Sequence, residues 1–346
     1  MLIFGLFFGR LFGLKRDLRA FGVALFGAEL HRGLTHAHEQ RDKKRLKFLR
    51  RKTRLLRKPE NEAVERHVAD VIHKEIKGDL IREVLLLFFI CLIASTVGSI
   101  VGAGGGVIIK PVLDLIGILP VSTVSFCSGC TVLVMAVCSL LRGRKDGVKL
   151  ELKTSTILAI GAVLGGLLGK WMFEQVRNGF GSETALGSIQ AIALTIITIG
   201  VFLYVCNKDK LPSKHLTNPL AIAVTGVLLG VISSFLGIGG GTSNVAVLFF
   251  FFSMEAKQAA KNSLYIIIFS QLSSILTSFI TGSVPQFEWV NLIAMMCGGV
   301  ASAFLGSAIS KRIDNKGVEK LLKILLLIII AIDLYNAIRY TAAWLV

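Results

Sequence analysis

From Val84 to Tyr340 the chain consists of apolar segments separated by short polar loops. Hydrophobic residues make up 53% of the sequence and charged residues only 18%, a composition too apolar for an ordinary water-soluble domain. Most segments approach the roughly 20 residues that an α-helix needs to cross a bilayer. The sequence therefore predicts an all-α, polytopic membrane protein, in which non-helical backbone at bilayer depth must be met by protein or by a wet cavity.

Two glycine clusters interrupt this apolar sequence, one at Gly102–Gly106 (GAGGG) and one at Gly237–Gly241 (GIGGG). Each follows a helix-length apolar run and precedes an apolar segment too short to cross alone, which predicts a glycine-broken helix or a re-entrant hairpin at both places. Glycine lets backbone amides approach a ligand, and a helix that begins after the cluster directs its positive dipole end into the break. The breaks therefore predict an anion cradle; the alternative is that the glycines only permit close helix packing.

The two clusters belong to an internal repeat. An offset of 135 residues superposes Gly102 on Gly237, and beyond the following loop an offset of 137 superposes Gly169 on Gly306. One two-residue insertion reconciles both offsets, which favours duplication over coincidence.

The predicted organisation has four parts: a basic N-terminal extension with an interfacial amphipathic segment at 1–82, a first membrane repeat at 83–206, a linker at 207–219 and a second membrane repeat at 220–346. Within the extension, residues 41–58 hold eleven Lys and Arg against one acid. Because Phe48 is the only aromatic residue among these charges, the run predicts contact with the anionic headgroups of a lipid bilayer and no binding of nucleic acid.

Loop charge predicts that the two repeats are inverted. The loop at 142–153 is strongly basic, whereas its repeat partner at 281–289 contains no Lys or Arg; conversely, four Lys and Arg crowd 311–320, whose partner at 174–183 has one Arg. By the positive-inside rule, equivalent loops then face opposite sides of the membrane. Inverted repeats of this kind are common in secondary transporters, which bind their substrate near the bilayer midplane.

The basic extension conflicts with this orientation. If the loop at 142–153 is cytoplasmic and the first break is the tip of a hairpin, the chain before Val84 lies outside and carries its positive charges with it, against the positive-inside rule. Either the first run crosses fully and its half-helix lies near the outer surface, or the extension is external. We favour a cytoplasmic extension.

Polar side chains near the breaks complete the predicted substrate site, since hydroxyl, amide and ammonium groups donate hydrogen bonds to oxyanions. The predicted substrate-binding residues are Gly104, Gly105, Gly106, Lys110, Ser128, Thr131, Gly239, Gly240, Gly241, Asn244, Asn262 and Ser263. Lys110 is a charge within an apolar segment; its alternatives are pairing with Asp114 one turn on, or snorkelling to the surface. Asp333 is interpreted as an interfacial acid near the end of the last span, with the carriage of a coupling proton as the alternative.

The segment Val97–Gly106 (VGSIVGAGGG), the following Val107–Pro111 (VIIKP) and the echo at Gly230–Gly241 resemble the TauE/SafE sulfite-exporter family of integral membrane proteins. The resemblance runs from about Val84 to the C-terminus in its repeat layout. It implies a permease of the bacterial inner-membrane type for sulfite, organosulfonates or related small oxyanions. Pro111 has no equivalent after the second cluster.

The predicted function is therefore secondary transport of a small sulfur-containing oxyanion across the cell membrane, as export, by alternating access between the two breaks. The alternatives are an anion channel and a permease for an unrelated small anion. An enzyme is disfavoured because no histidine and no nucleophile, metal or paired-carboxylate constellation lies within the spans. The sequence accordingly predicts no catalytic residue, no metal and no cofactor.

Overall fold

The structure is a computed structural model that describes residues 62–180, 182–210, 216–237 and 241–345. The basic extension up to residue 61 lies outside the described residues, as do Gly239 and Gly240. The predictions for these parts therefore rest on the sequence.

Every regular element in the described ranges is helical. The α-helices are α1 (Glu62–Val101), α2 (Gly106–Ile116), α3 (Val121–Arg142), α4 (Leu152–Phe180), α5 (Glu183–Asn207), α6 (Pro219–Leu236), α7 (Gly241–Phe252), α8 (Ala256–Ile280), α9 (Trp289–Ser310) and α10 (Asn315–Leu345). Eight of them are long and apolar enough to cross a membrane. The predicted all-α, polytopic membrane protein is confirmed.

The helices that follow the glycine clusters are the short ones. Helix α2 has 11 residues and α7 has 12, about 17–18 Å of helix and little more than half the hydrocarbon thickness. Many long apolar side chains on the spans point outward, including Ile160, Leu164 and Ile196. An outward apolar surface is expected where the solvent is lipid.

The described residues divide into two compact units, one containing 62–84 with 287–293 and the other the remainder. In the smaller unit, Asn291 donates a hydrogen bond to Glu83 Oε1 at 3.1 Å, and the ring of Phe287 lies edge-on to that of Trp289. Both glycine breaks belong to the larger unit.

In the larger unit, glycines bring helix backbones into direct contact. Gly161 and Gly165 on α4 face the carbonyl oxygens of Ala223 and Val227 on α6, so closely that a Cβ at either glycine would overlap them. Gly226 on α6 faces the backbone of α4 in the same way. Glycine therefore packs α4 on α6 without intervening side chains, the arrangement that small residues permit between membrane helices.

The same contact recurs between α1 and α9. Gly298 on α9 faces the carbonyl oxygen of Phe88 on α1, and the repeat offsets relate these two residues to Gly161 and Ala223. Both contacts join a helix of one predicted repeat to a helix of the other. The duplication read from the sequence thus has a counterpart in equivalent helix contacts.

Candidate functional site

Both breaks end a helix in the left-handed conformation that glycine adopts without steric cost. Gly102, directly after α1, has φ +72°, and Gly237, directly after α6, has φ +67°. Ser263 Oγ donates to the carbonyl oxygen of Gly102 at 2.6 Å, and Ser128 Oγ donates to that of Gly237 at 3.0 Å. Each break is therefore held by a serine on the third helix of the other predicted repeat, α8 or α3.

The two breaks also touch one another. A Cβ built on Gly241 would overlap Val107 of α2 and lie 3.3 Å from the carbonyl oxygen of Ala103. Since α2 and α7 begin at this contact, the half-helices start from adjoining points in the larger unit.

A cavity of about 170 Å³ lies beside the first break; we call it the basic vestibule. It carries three lysines and one aspartate. Its lining residues are Ser99, Ile100, Ser139, Leu140, Gly143, Asp146, Val148, Lys257, Ala260, Lys261, Leu264, Gly306, Ser307, Ser310 and Lys311. Lys261 holds the loop after α3, because its Nζ donates to Gly143 O at 2.5 Å and to Asp146 Oδ1 at 2.6 Å. Lys257 and Lys311 make no ion pair with any described residue, so the vestibule presents net positive charge.

A smaller cavity of about 30 Å³ lies beside the second break; we call it the narrow pocket. It is lined by Ser122, Ser125, Phe126, Gly129, Lys170, Phe173, Ser233, Ser234, Gly237, Gln271, Ser274, Ile275 and Ser278. Since one water needs about 10–15 Å³ of cavity volume, the narrow pocket has room for roughly two waters and the vestibule for many more.

The two cavities occupy equivalent positions in the two repeats. The offset of 135 converts vestibule residues Ser139 and Ala260 into pocket residues Ser274 and Ser125. In the same way, it relates Leu140 to Ile275, Gly143 to Ser278, Ser99 to Ser234, Lys257 to Ser122, Lys261 to Phe126 and Leu264 to Gly129. The fold therefore contains one kind of cavity twice, wide in one copy and constricted in the other.

The cavities lie at opposite ends of the same helices. Near its start, helix α3 lines the narrow pocket with Ser122, and near its end it lines the vestibule with Leu140. These two residues are about 27 Å apart along the helix axis at 1.5 Å per residue. Helix α8 runs the other way, from Lys257 at the vestibule to Ser278 at the narrow pocket. These equivalent helices of the two predicted repeats thus run in opposite directions.

The glycines of the first break lie in neither cavity. Gly104, Gly105 and Gly106 are buried, and Gly105 packs against Ser95 and Gly98 of α1, where a Cβ would overlap its neighbours. In this conformation, protein covers the first glycine triplet. This is the arrangement expected where glycines permit close helix packing. Gly241, the described member of the second triplet, is covered by the first break.

Lys110 is paired. Its Nζ lies 2.9 Å from Asp114 Oδ2, and its side chain is only 2% exposed. Helix α10 covers this pair: Arg339 donates to the carbonyl oxygen of Asp114, and Asn336 donates to that of Pro111 at 2.8 Å. In this structure Lys110 is therefore paired with Asp114, as one of the alternatives predicted from the sequence.

Asp333 is enclosed by protein. It is 1% exposed and lies close enough to Lys110 and Asp114 to interact with them electrostatically. Its helix, α10, continues to Leu345. The depth of Asp333 in the bilayer stays a prediction.

The remaining predicted residues have structural partners in this conformation, with one exception. Thr131 Oγ1 donates within its own helix to Cys127 O at 2.9 Å. Asn262 Oδ1 accepts from Glu151 N at 2.9 Å and from Ser155 Oγ at 2.5 Å, which joins α8 to the start of α4. Asn244 is 1% exposed, and its Oδ1 has no hydrogen-bond partner among the described residues.

The direction of helix α1 within the larger unit follows from its contacts with α9. Phe88 faces Gly298 and Ser99 faces Gly306, so α1 and α9 run in the same direction. Because Ser99 and Gly306 line the basic vestibule, Leu85 lies at the end of this part of α1 that is remote from the vestibule.

Sequence reasoning did not select the lysines of the two cavities as binding residues, with Lys170, Lys257 and Lys311 the main omissions. They lie on helices remote from the glycine clusters in the sequence, and only the fold brings them to the breaks. Applying the repeat offset to every polar residue of the spans would have grouped several of them. Within the described ranges, no group of three or more His, Cys, Asp or Glu is placed to hold a metal ion.

Comparison with known proteins identifies similar membrane proteins. The family model described as sulfite exporter TauE/SafE matches residues 87–334. The chain is 24% identical over 266 residues to the probable membrane transporter protein YunE of Bacillus subtilis (strain 168), covering 71% of this chain and 95% of that protein. It is 25% identical over 197 residues to a probable membrane transporter protein of Haemophilus influenzae (strain ATCC 51907 / DSM 11121 / KW20 / Rd), covering 56% of this chain and 70% of that protein.

No solved structure matches the chain. The family match spans well over half of the sequence, including both glycine breaks and both cavities. The chain is therefore a multi-pass membrane protein that belongs to the TauE/SafE family of membrane transporters.

Proposed function

We propose that this protein is a secondary transporter that exports a small sulfur-containing oxyanion, such as sulfite or an organosulfonate, by alternating access. The observation that carries the proposal is the pair of equivalent cavities at opposite ends of α3, about 170 Å³ at one end and about 30 Å³ at the other. Alternating access requires a path that is open at one end and constricted at the other, with the substrate site between them.

The direction of the helices supports an inverted arrangement of the repeats. Helices α3 and α8 run oppositely between the same two cavities. In an inverted pair, one repeat takes the shape that the other has just left, so exchanging the two shapes exchanges the open end. The proposal places the basic vestibule on the cytoplasmic side, because the strongly basic loop after α3 lines it.

The charges of the vestibule support an anionic substrate. Lys257, Lys261 and Lys311 outnumber Asp146, and serine hydroxyls from α3 and α9 lie among them. Positive charge in a cleft with low-dielectric walls concentrates anions at its mouth, and ammonium and hydroxyl groups bind oxyanion oxygens. The sulfur chemistry of the substrate is taken from the family's description as sulfite exporters.

The proposal assigns transport without chemistry on the substrate, and its main competitor is an anion channel. A channel keeps one continuous aqueous path, whereas the narrow pocket has room for roughly two waters. The two functions differ in kinetics. A carrier saturates and exchanges substrate across the membrane, while a channel passes ions without exchange.

The test is counterflow in proteoliposomes loaded with unlabelled sulfite, sulfate or taurine, with the labelled compound added outside. We expect saturable counterflow with one of these anions. Lys311→Gln should raise the KM several-fold on the vestibule side, and more at low salt than at high salt, because it removes an exposed positive charge. Lys320→Gln is the matched control, since Lys320 is also exposed but does not line the vestibule. Absence of counterflow with all three anions, or flux without saturation, would overturn the proposal.

A further inference from the structure

The narrow pocket contains polar groups whose hydrogen-bonding capacity the fold does not use. Ser234 is 4% exposed, and its Oγ has no hydrogen-bond partner among the described residues; the same is true of Ser125 Oγ. Ser125 lies directly against the second break, because a Cβ on Gly237 would come within 2.7 Å of its Oγ. A buried hydroxyl without a partner loses hydration that nothing replaces, so a site that retains two of them is suited to a ligand with acceptor oxygens.

Lys170 adds a cation to the same pocket. It lines the cavity from α4 and is 9% exposed. Its Nζ lies 2.8 Å from Glu174 Oε1 and 4.5 Å from the centre of the Phe173 ring. An ammonium group has three donors, and Glu174 also pairs with Arg177 at 3.3 Å. The carboxylate is therefore shared between two cations, and Lys170 keeps donor capacity for an anion.

Hydrogen bonds join α6 to α8 at the narrow pocket. Gln271 Nε2 donates to Ser233 Oγ at 3.1 Å, and Ser233 and Ser270 share a hydrogen bond of 3.3 Å. At the positions equivalent to Ser233 and Gln271, the first predicted repeat has Gly98 and Ala136, which carry no side-chain group that can form a hydrogen bond. These polar contacts are thus specific to the constricted copy of the cavity.

We propose that Lys170, with the hydroxyls of Ser125 and Ser234, is a second oxyanion-binding station on the transport path. The station is reached when the Gln271–Ser233 hydrogen bond breaks and α6 separates from α8. Glu174 is the intramolecular competitor that holds the ammonium while no oxyanion is bound there. This inference rests on the proposed function, since it names the residues that meet the same substrate at the end remote from the vestibule.

The experiment measures the KM for labelled sulfite, sulfate or taurine added at the narrow-pocket side of proteoliposomes, with orientation established by protease access to the loop at 143–151. Lys170→Gln should raise this KM about tenfold to a hundredfold, the range for losing a hydrogen bond to a charged group. Lys170→Arg should keep it within a few-fold of wild type. Lys153→Gln on the same helix is the control, because that lysine is exposed and remote from the pocket.

Glu174→Gln distinguishes a binding role from a structural one. Removal of the competing carboxylate should lower the KM at the narrow-pocket side several-fold, a gain that misfolding does not produce. If wild type shows saturable counterflow but Lys170→Gln leaves the KM unchanged, or Glu174→Gln raises it, the station is overturned while the proposed function stands. If wild type itself shows no counterflow, the proposed function fails first.

Discussion

Removing the charge of Lys110 should destabilise the protein strongly, because it leaves a carboxylate buried without its cation. The Lys110–Asp114 pair is 2.9 Å long, Lys110 is 2% exposed and Asp114 is 6% exposed. In Lys110→Met the ammonium is lost and its methylene volume is largely retained, so the change isolates charge from packing.

The expected size follows from this burial. Breaking a buried ion pair by removing one partner costs about 3–5 kcal/mol, whereas removing both partners is often close to neutral. At roughly 2 °C per kcal/mol for a large domain, the single variant should lose about 6–10 °C in apparent melting temperature. The double variant Lys110→Met with Asp114→Asn should recover most of that loss, since the bonds from Arg339 and Tyr340 to the main-chain oxygen of Asp114 are retained.

The assay is thermal unfolding of the purified protein in detergent, in which size-exclusion chromatography measures the protein that remains folded after heating. Counterflow is measured on the same preparations. If the double variant is as unstable as the single one, the pair is not what stabilises this region and the reasoning is refuted. Counterflow separates the two roles predicted for Lys110. A stable double variant that keeps the wild-type KM assigns Lys110 to the ion pair, and one that loses affinity assigns it to substrate contact.

Two further predictions concern the helix contacts and the breaks. Gly165→Ala should destabilise the protein by about 1–3 kcal/mol because the added Cβ overlaps the backbone of α6. Gly200→Ala should stabilise it by about 0.5–1 kcal/mol, because a Cβ there meets nothing within 4 Å. Thermal unfolding of both variants tests this, and equal shifts in melting temperature would contradict it. Ser263→Ala should cost about 1–3 kcal/mol because the buried carbonyl of Gly102 loses its donor; an unchanged melting temperature would show that water replaces the hydroxyl.

The sequence predicted the architecture well because the bilayer restricts it so tightly. Apolar run lengths indicated the spans, and the segments after the glycine clusters were predicted as half-helices and are 11 and 12 residues long. The offset of 135 also relates Ser128 to Ser263, and these two serines bind the two breaks in equivalent ways. Repeat register is a local property of the sequence, so it can be read without tertiary information.

The site was predicted less completely because depth and neighbours depend on the fold. The sequence did not indicate that Asn262 joins α8 to the start of α4. It also did not indicate that Asp333 is enclosed by protein near the Lys110–Asp114 pair. Lys170 was not selected, since its position in the sequence, far from both glycine clusters, gives no hint that α4 brings it to the second break.

The glycine contacts limit which parts of the protein can move during transport. Helices α4 and α6, like α1 and α9, meet backbone to backbone, and no rotamer change can absorb sliding along such a contact. Because each pair takes one helix from each predicted repeat, these contacts oppose a movement of the two predicted repeats as rigid halves. In the alternating-access cycle proposed above, the two mixed pairs would therefore stay intact, and the movement would fall to other helices, such as α3, α8 and the two half-helices.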